Sequence, residues 1–275
     1  MSQLNTIITR LDGTTYDLNE LGVVTRDFNV SAPDYEHETY ELEGRAGHVT
    51  INTQMKAREI SVLFYMRAYD NGDYAAARAE VFPLFDSKEP FYIADGRQPN
   101  RLWLVRQEGG YEMDQNGRYG FFEVDFVADL PYSRSKAKAG DPITWDAGII
   151  SWGDGYEWDT EPPAVTFTEN NFAIENMGNV VVNGFETPLA ITVTGVFSQG
   201  VTIHNLTTGD IFTYTGSLAA GEVLRIDGTT VTKNGVNVFA ATNHKFLSLA
   251  PGINEIAISG GEVGEVHFDY YYYYM

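Results

Sequence analysis

From Arg58 to Arg67 the side chains alternate. Ile60, Val62, Phe64 and Met66 fall on one face, with Ser61, Leu63, Tyr65 and Arg67 on the other. A period of two residues predicts a strand with one buried face. The run stops at Asp70-Asn71-Gly72-Asp73, a turn composition. Ala77, Val81, Leu84 and Phe85 then recur at i, i+4, i+7 and i+8, the spacing of a short amphipathic helix. After Pro90 the chain turns extended again at Phe91-Tyr92-Ile93. Val23–Val30, His48–Thr53, Arg101–Gln107 and Tyr119–Val127 are the other strand candidates of the first half. Asn116-Gly117, a dipeptide suited to positive φ, predicts a hairpin turn between the last two. Phe122, Val124 and Phe126 would share one face of the closing strand, and Phe121, Glu123 and Asp125 the other.

Asp129-Leu130-Pro131-Tyr132 closes this region, so a first domain is expected over residues 1–132. The stretch Ser133–Asp141, SRSKAKAGD, is small, polar and charged, and reads as a linker. The segment 142–171 holds Trp145, Trp152 and Trp158, several carboxylates and Pro162-Pro163. It reads either as an arm laid across a partner or as the first strands of the second domain. Residues 133–171 are therefore taken together as a linker or arm. From Phe172 the pattern is all-β: Val180–Val182, Ala190–Val196, Val201–Asn205, Ile211–Tyr214, Glu222–Ile226, Thr229–Lys233 and Asn254–Ile258. Asn183-Gly184, Gly209-Asp210, Asp227-Gly228, Asn234-Gly235 and Pro251-Gly252 separate them. That rhythm predicts a jelly-roll-like β-sandwich over 172–275. The fold class is thus mostly β, with one short helix in the N-terminal domain.

Length and composition support two cores: 275 residues, 43% hydrophobic and 20% charged, suit two globular domains. No apolar stretch approaches a membrane span. MSQLNTIITRLDG has neither a basic start nor an apolar run, so no signal peptide is expected, and synthesis and folding are expected in the cytoplasm. The absence of Cys removes disulfides and thiolate zinc sites together. Charge is uneven: residues 1–140 carry net −7 and residues 141–275 net −13, with only Arg225, Lys233 and Lys245 as cations in the second part. So acidic a chain repels nucleic-acid phosphates, which argues against sequence-specific nucleic-acid binding.

Catalytic signatures are missing. His37, His48, His204, His244 and His267 are scattered without H-x-H, H-x-x-x-H or H-E-x-x-H spacing, so neither a metal nor a cofactor is expected. There is no G-x-S-x-G elbow and no phosphate-binding G-x-x-x-x-G-K-[ST] loop. Asp154, Glu157, Asp159 and Glu161 sit in a Trp-rich stretch, the composition of a sugar cleft but equally of a solvated acidic loop. Trp145, Trp152, Tyr156 and Trp158 could stack on pyranose rings, as could the run Tyr270–Tyr274, or could anchor an arm or domain interface.

The block Arg58–Ile93 resembles the N-terminal domain of distal tail proteins of long-tailed phages infecting Gram-positive bacteria. In both, a basic-aromatic strand leads into a D-x-x-D-Y turn (here Asp70 to Tyr74), then a helix ending in hydrophobic-Leu-Phe (Leu84-Phe85), then a strand near Pro-Phe-Tyr (Pro90 to Tyr92). The Pro131-Tyr132 exit followed by Ser133 is also similar. In the second half, Asn176–Val180, Ile203–Gly209, Leu224–Asp227 and Leu249–Ile256 resemble that family's galectin-like or carbohydrate-binding-module-like domain. The resemblance implies a non-enzymatic virion component at the tail tip, assembled in the host cytoplasm. Its 1–132 domain would form a homo-hexameric ring joining the tail tube protein to tail-associated lysin or receptor-binding proteins. The second domain would dock baseplate parts or contact host cell-wall glycan. The rival from another class is a carbohydrate-active enzyme or adhesin with a β-sandwich carbohydrate-binding module.

Overall fold

The computed structural model describes residues 4–142 and 161–275. The chain divides into two compact units, Met1–Ser133 with Met275, and Arg134–Tyr274. Both are built almost wholly from antiparallel strands.

The first unit contains β1 (Thr6–Thr9), β2 (Thr15–Asp17), β3 (Val23–Val30), β4 (Tyr35–Glu41), β5 (His48–Met55), β6 (Arg58–Arg67), α1 (Tyr74–Val81), β7 (Phe91–Asp95), β8 (Arg101–Gln107), β9 (Asp114–Asn116) and β10 (Tyr119–Ala128). Pairing runs β2–β1–β7–β8, then β8–β10–β6–β3, with β8 joining the two sheets through only two pairs to β10. The core is the face that the alternation of β6 and β10 predicts: Ile60, Val62, Phe64, Met66, Phe122, Val124 and Phe126 are all buried. The helix is shorter than the four-residue spacing suggests. It ends at Val81, and Phe82–Phe85 continue as a 3-10 turn with Pro83 at its start. Proline donates no N–H to the helical ladder, which favours this tightening. Tyr74, Val81 and Phe85 point into the core, while Ala77 and Leu84 are half-buried.

Two local expectations change. The hairpin at Asn116-Gly117 joins β9 to β10, not β8 to β10, with Asn116 opposite Tyr119. Gly117 takes φ +60° as the first central residue of the two-residue loop. β8 instead pairs along β7. In addition, β4 carries no apolar alternation by which a strand could be recognised; it exists only because β5 pairs with it.

The second unit contains β11 (Ser133–Lys138), β12 (Thr166–Phe167), β13 (Asn171–Asn176), β14 (Leu189–Asn205), β15 (Ile211–Tyr214), β16 (Val223–Asp227), β17 (Thr230–Lys233), β18 (Val236–Asn237) and β19 (Gly252–Tyr274). The polar stretch at Ser133, read as linker, is therefore strand: it pairs with β19, and Ser135 Oγ accepts from the Tyr272 N–H at 3.1 Å. The break expected between Val196 and Val201 is absent. β14 runs through it for 17 residues beside the 23-residue β19. The first half of β14 pairs with β16 and the second with β15, and register shifts mark the change at Thr194/Gly195 and Phe197/Thr202. β19 likewise passes from β13 to β12 along its length. Glycines at these bends let the two backbones approach where a Cβ has no room. The run Tyr270–Tyr274 is structural. Tyr270, Tyr272, Tyr273 and Tyr274 are buried, and the Tyr270 hydroxyl donates to the Glu175 carbonyl at 2.8 Å. Burial, with Glu175 nearby, raises the pKa of that phenol.

One buried polar network holds the Pro251-Gly252 turn. Asn254 is fully buried; its Oδ1 accepts from the Ala250 N–H (2.9 Å) and from Asn205 Nδ2 (3.1 Å), and its Nδ2 donates to the carbonyls of Ala250 (2.8 Å) and Gly252 (3.0 Å). Asn254→Ala would leave the Ala250 N–H and C=O without these partners, so it is expected to cost on the order of 1–3 kcal/mol. A lowered urea midpoint for the second unit would show this; an unchanged midpoint would mean that the network contributes nothing.

Candidate functional site and assembly surface

The chemistry-bearing residues do not converge. Among the described residues no group of three or more His, Asp or Glu is placed to hold a metal ion. His37 and His48 lie on the β4–β5 hairpin, His204 and His267 on β14 and β19, and His244 in a loop. His37 Nδ1 is 2.9 Å from Thr53 Oγ1, and His267 Nδ1 is 2.9 Å from Thr166 Oγ1; each is a local hydrogen bond to a hydroxyl. The proposed stacking residues Trp145, Trp152, Tyr156 and Trp158 lie outside the described residues, as do Asp154, Glu157 and Asp159. No helix among the described residues is long and apolar enough to cross a membrane.

What the first unit presents instead is surface. β4 and β5 form a two-stranded sheet of their own, from Tyr35 opposite Met55 to Glu41 opposite His48. Every residue of β4 is exposed, and β5 is exposed except for half-buried Val49 and Met55. Tyr40 is 57% exposed and Ile51 64%. The tip, with Leu42 and Glu43, turns through Gly44 and Gly47 at φ +84° and +80°, where glycine carries no Cβ penalty. The base is pinned: the Lys56 N–H donates to the Asp34 carbonyl (2.9 Å), Lys56 Nζ meets Asp34 Oδ2 (3.3 Å), and Arg58 Nε donates to the Ser31 carbonyl (2.8 Å). A lone two-stranded ribbon is marginal in water, so such a hairpin gains its stability from whatever it lies on.

The second surface is the outward face of the β3–β6–β10 sheet. Cross-strand register sets Phe121 beside Tyr65 and Tyr65 beside Val24, with Tyr119 beside Arg67. The rings of Tyr65 and Tyr119 are 6.3 Å apart and those of Tyr65 and Phe121 6.1 Å apart. Arg26 lies 5.7 Å over the Phe121 ring, and Arg118 lies 5.3 Å over the Tyr119 ring. The hydrogen bond from Arg118 to the Tyr119 hydroxyl (3.3 Å) holds that phenol below its usual pKa. Arg26, Arg67 and Arg118 have no carboxylate partner among the described residues. Farther along, the same sheet turns acidic: Glu59, Glu108 and Asp125 line an open groove of about 490 Å³ with Ser31 and Ser61, and Ser61 Oγ is hydrogen-bonded to Glu123 Oε1 at 2.5 Å. The alternation of β6 and β10 forecasts the outward aromatics. Of the arginines around them, Arg67 follows from the same alternation, but Arg26 and Arg118 do not, because Arg26 comes from a bulge in β3 and Arg118 from a turn.

Residues 11–128 match the family model described as the phage tail protein RIFT-related domain, a span that contains the whole Arg58–Ile93 block. Among solved structures the chain is similar to the SPP1 Dit (gp 19.1) protein, with a TM-score of 0.69 and 13% identity over 98% of this chain and 99% of that one. It also aligns with chains of the phage P2 baseplate in its activated conformation. With Ca the TM-score is 0.48, with 10% identity over 99% and 98% of the two chains; with Sr it is 0.46, with 9% identity over 98% and 97%. No curated protein matches by sequence. Residues 11–128 therefore carry a phage tail protein RIFT-related domain, and the fold over the full chain is like that of SPP1 Dit.

Proposed function

We propose that this chain is a distal tail protein: a structural hub, without catalysis, at the tip of a phage tail. Residues 1–132 act as the ring-forming domain, six copies closing around a lumen that passes DNA. One face of the ring meets the tail tube protein, and the other meets tail-associated lysin or receptor-binding proteins. The second unit serves as the platform on which baseplate parts or wall glycan are engaged. The virion is assembled in the host cytoplasm.

The observation that carries this reading is the β4–β5 hairpin: in a phage tail domain, a complete ribbon lies on no other described part of its own chain. Exposed apolar strand surface is an aggregation liability unless a partner covers it. The fold shared with a protein described as a paradigm of the hub adsorption apparatus in phages infecting Gram-positive hosts gives further support. Mass photometry of the full chain is expected to show a species near six times the 30.6 kDa subunit mass. A single species at the subunit mass would reject the hub and favour the carbohydrate-active reading.

A further inference from the structure

We infer that the ring contact is the acidic hairpin of one copy seated on the arginine–aromatic sheet face of the next. This rests on the ring reading and specifies which two surfaces meet. The hairpin carries Glu36, Glu38, Glu41 and Glu43, none ion-paired among the described residues, against two cations, Arg45 at the tip and Lys56, which Asp34 engages at the base. Between and around these carboxylates stand Tyr35, Tyr40, Leu42 and Ile51, all exposed. The sheet face offers the complement: unpaired Arg26, Arg67 and Arg118 around Tyr65, Tyr119 and Phe121. Arginines set among tyrosines are the composition of an interface centre, and carboxylates meeting guanidinium groups make the strongest of the charge-assisted hydrogen bonds.

Dimensions agree as well. β4 has seven residues and spans about 24 Å, and Tyr119–Asp125 of β10, also seven residues, spans the same length. Glu36 and Glu38 lie on one face of the ribbon together with Tyr40, so a single face offers both charge and an aromatic ring. The acidic end of the sheet, with Glu59, Glu108 and Asp125, would repel that face, which fixes one direction of seating. Because the hairpin and the sheet face are different surfaces of one subunit, the contact is head-to-tail, and a head-to-tail contact whose rotation closes makes a ring instead of a two-fold dimer.

Two charge-reversed chains test this. One carries Glu36→Arg and Glu38→Arg; the other carries Arg26→Glu and Arg67→Glu. All four positions are exposed, so both chains are expected to fold with the circular dichroism of the unaltered protein. Each alone is expected to lose the ring by mass photometry at physiological salt, leaving subunit mass. Mixed in equal amounts they are expected to recover it, since hairpins and faces then match around an alternating ring, which closes with an even number of subunits. A ring retained by either variant alone overturns the pairing, as does failure of the folded mixture to reassemble. The ring reading itself is tested separately, because it falls only if the unaltered chain is a monomer.

Discussion

Phe85→Ala is expected to cost about 3–5 kcal/mol and to unfold much of the first unit at growth temperature. Phe85 is 1% exposed at the end of the 3-10 turn. Its ring touches four others: Phe64 at 5.4 Å, Tyr111 at 5.8 Å, Phe126 at 6.0 Å and Phe122 at 6.2 Å. These come from β6, from β10 and from the loop before β9, so truncation removes the piece on which three segments converge. The same burial raises the pKa of the Tyr111 hydroxyl to about 12, a sign of how little water reaches this cluster. Phe82, three residues earlier and half-exposed, is the control: Phe82→Ala is expected to cost about 1 kcal/mol or less. Hydrogen exchange of peptides across 58–128 separates the two. Equal protection in both variants would mean that the turn does not anchor the helix to the sheet.

Gly260→Val is expected to destabilise the second unit severely. A Cβ at Gly260 would overlap the carbonyl oxygen of Gly200, and the residue sits at φ +104°, where a β-branched side chain is strongly disfavoured. Neighbouring Gly261 is as tightly placed: its Cβ would overlap the Val196 carbonyl and lie 2.6 Å from Phe197 Cα. Both obstacles are backbone, so no rotamer change relieves them. Strain and overpacking together amount to roughly 2–6 kcal/mol, a large share of a domain's stability. Gly209 shares the positive φ, at +80°, but has no atom near its Cβ position. Gly209→Ala should therefore cost only about 1–3 kcal/mol and leave the unit folded. Limited proteolysis of the two purified variants distinguishes these outcomes; comparable resistance would show that β14 and β19 can separate at the bend without consequence.

Side-chain period and turn residues were enough to read the strands that have one wet and one buried face. β6 and β10 satisfy this, and their buried residues are those on one side of the alternation. Val81 and Phe85 were legible from their helical spacing, whereas buried Tyr74 was not part of that pattern. The residue order of the 58–93 block sufficed for the family resemblance, and the matched domain encloses it. The assembly surface was legible only in part: Tyr65 and Phe121 follow from alternation, but the hairpin's first strand has no apolar face to announce it.

The long-range pairings lie beyond local pattern, because hydrogen-bond partners are chosen by the whole chain and leave no local mark. The chain alone implies that Gly117 turns, but only the assembled sheet decides that β9 receives the turn and that β8 goes to β7. Glycines at 200, 260 and 261 fall outside the strand candidates in sequence. They lie instead within two long strands, where each faces backbone of a neighbouring strand. Five consecutive tyrosines suggest an exposed stacking surface until β11 and the core of the second unit cover them, leaving Tyr271 half-buried under the Arg134 guanidinium at 4.0 Å. Local sequence carries propensity and period; burial and partner choice arise only when distant segments exclude water together.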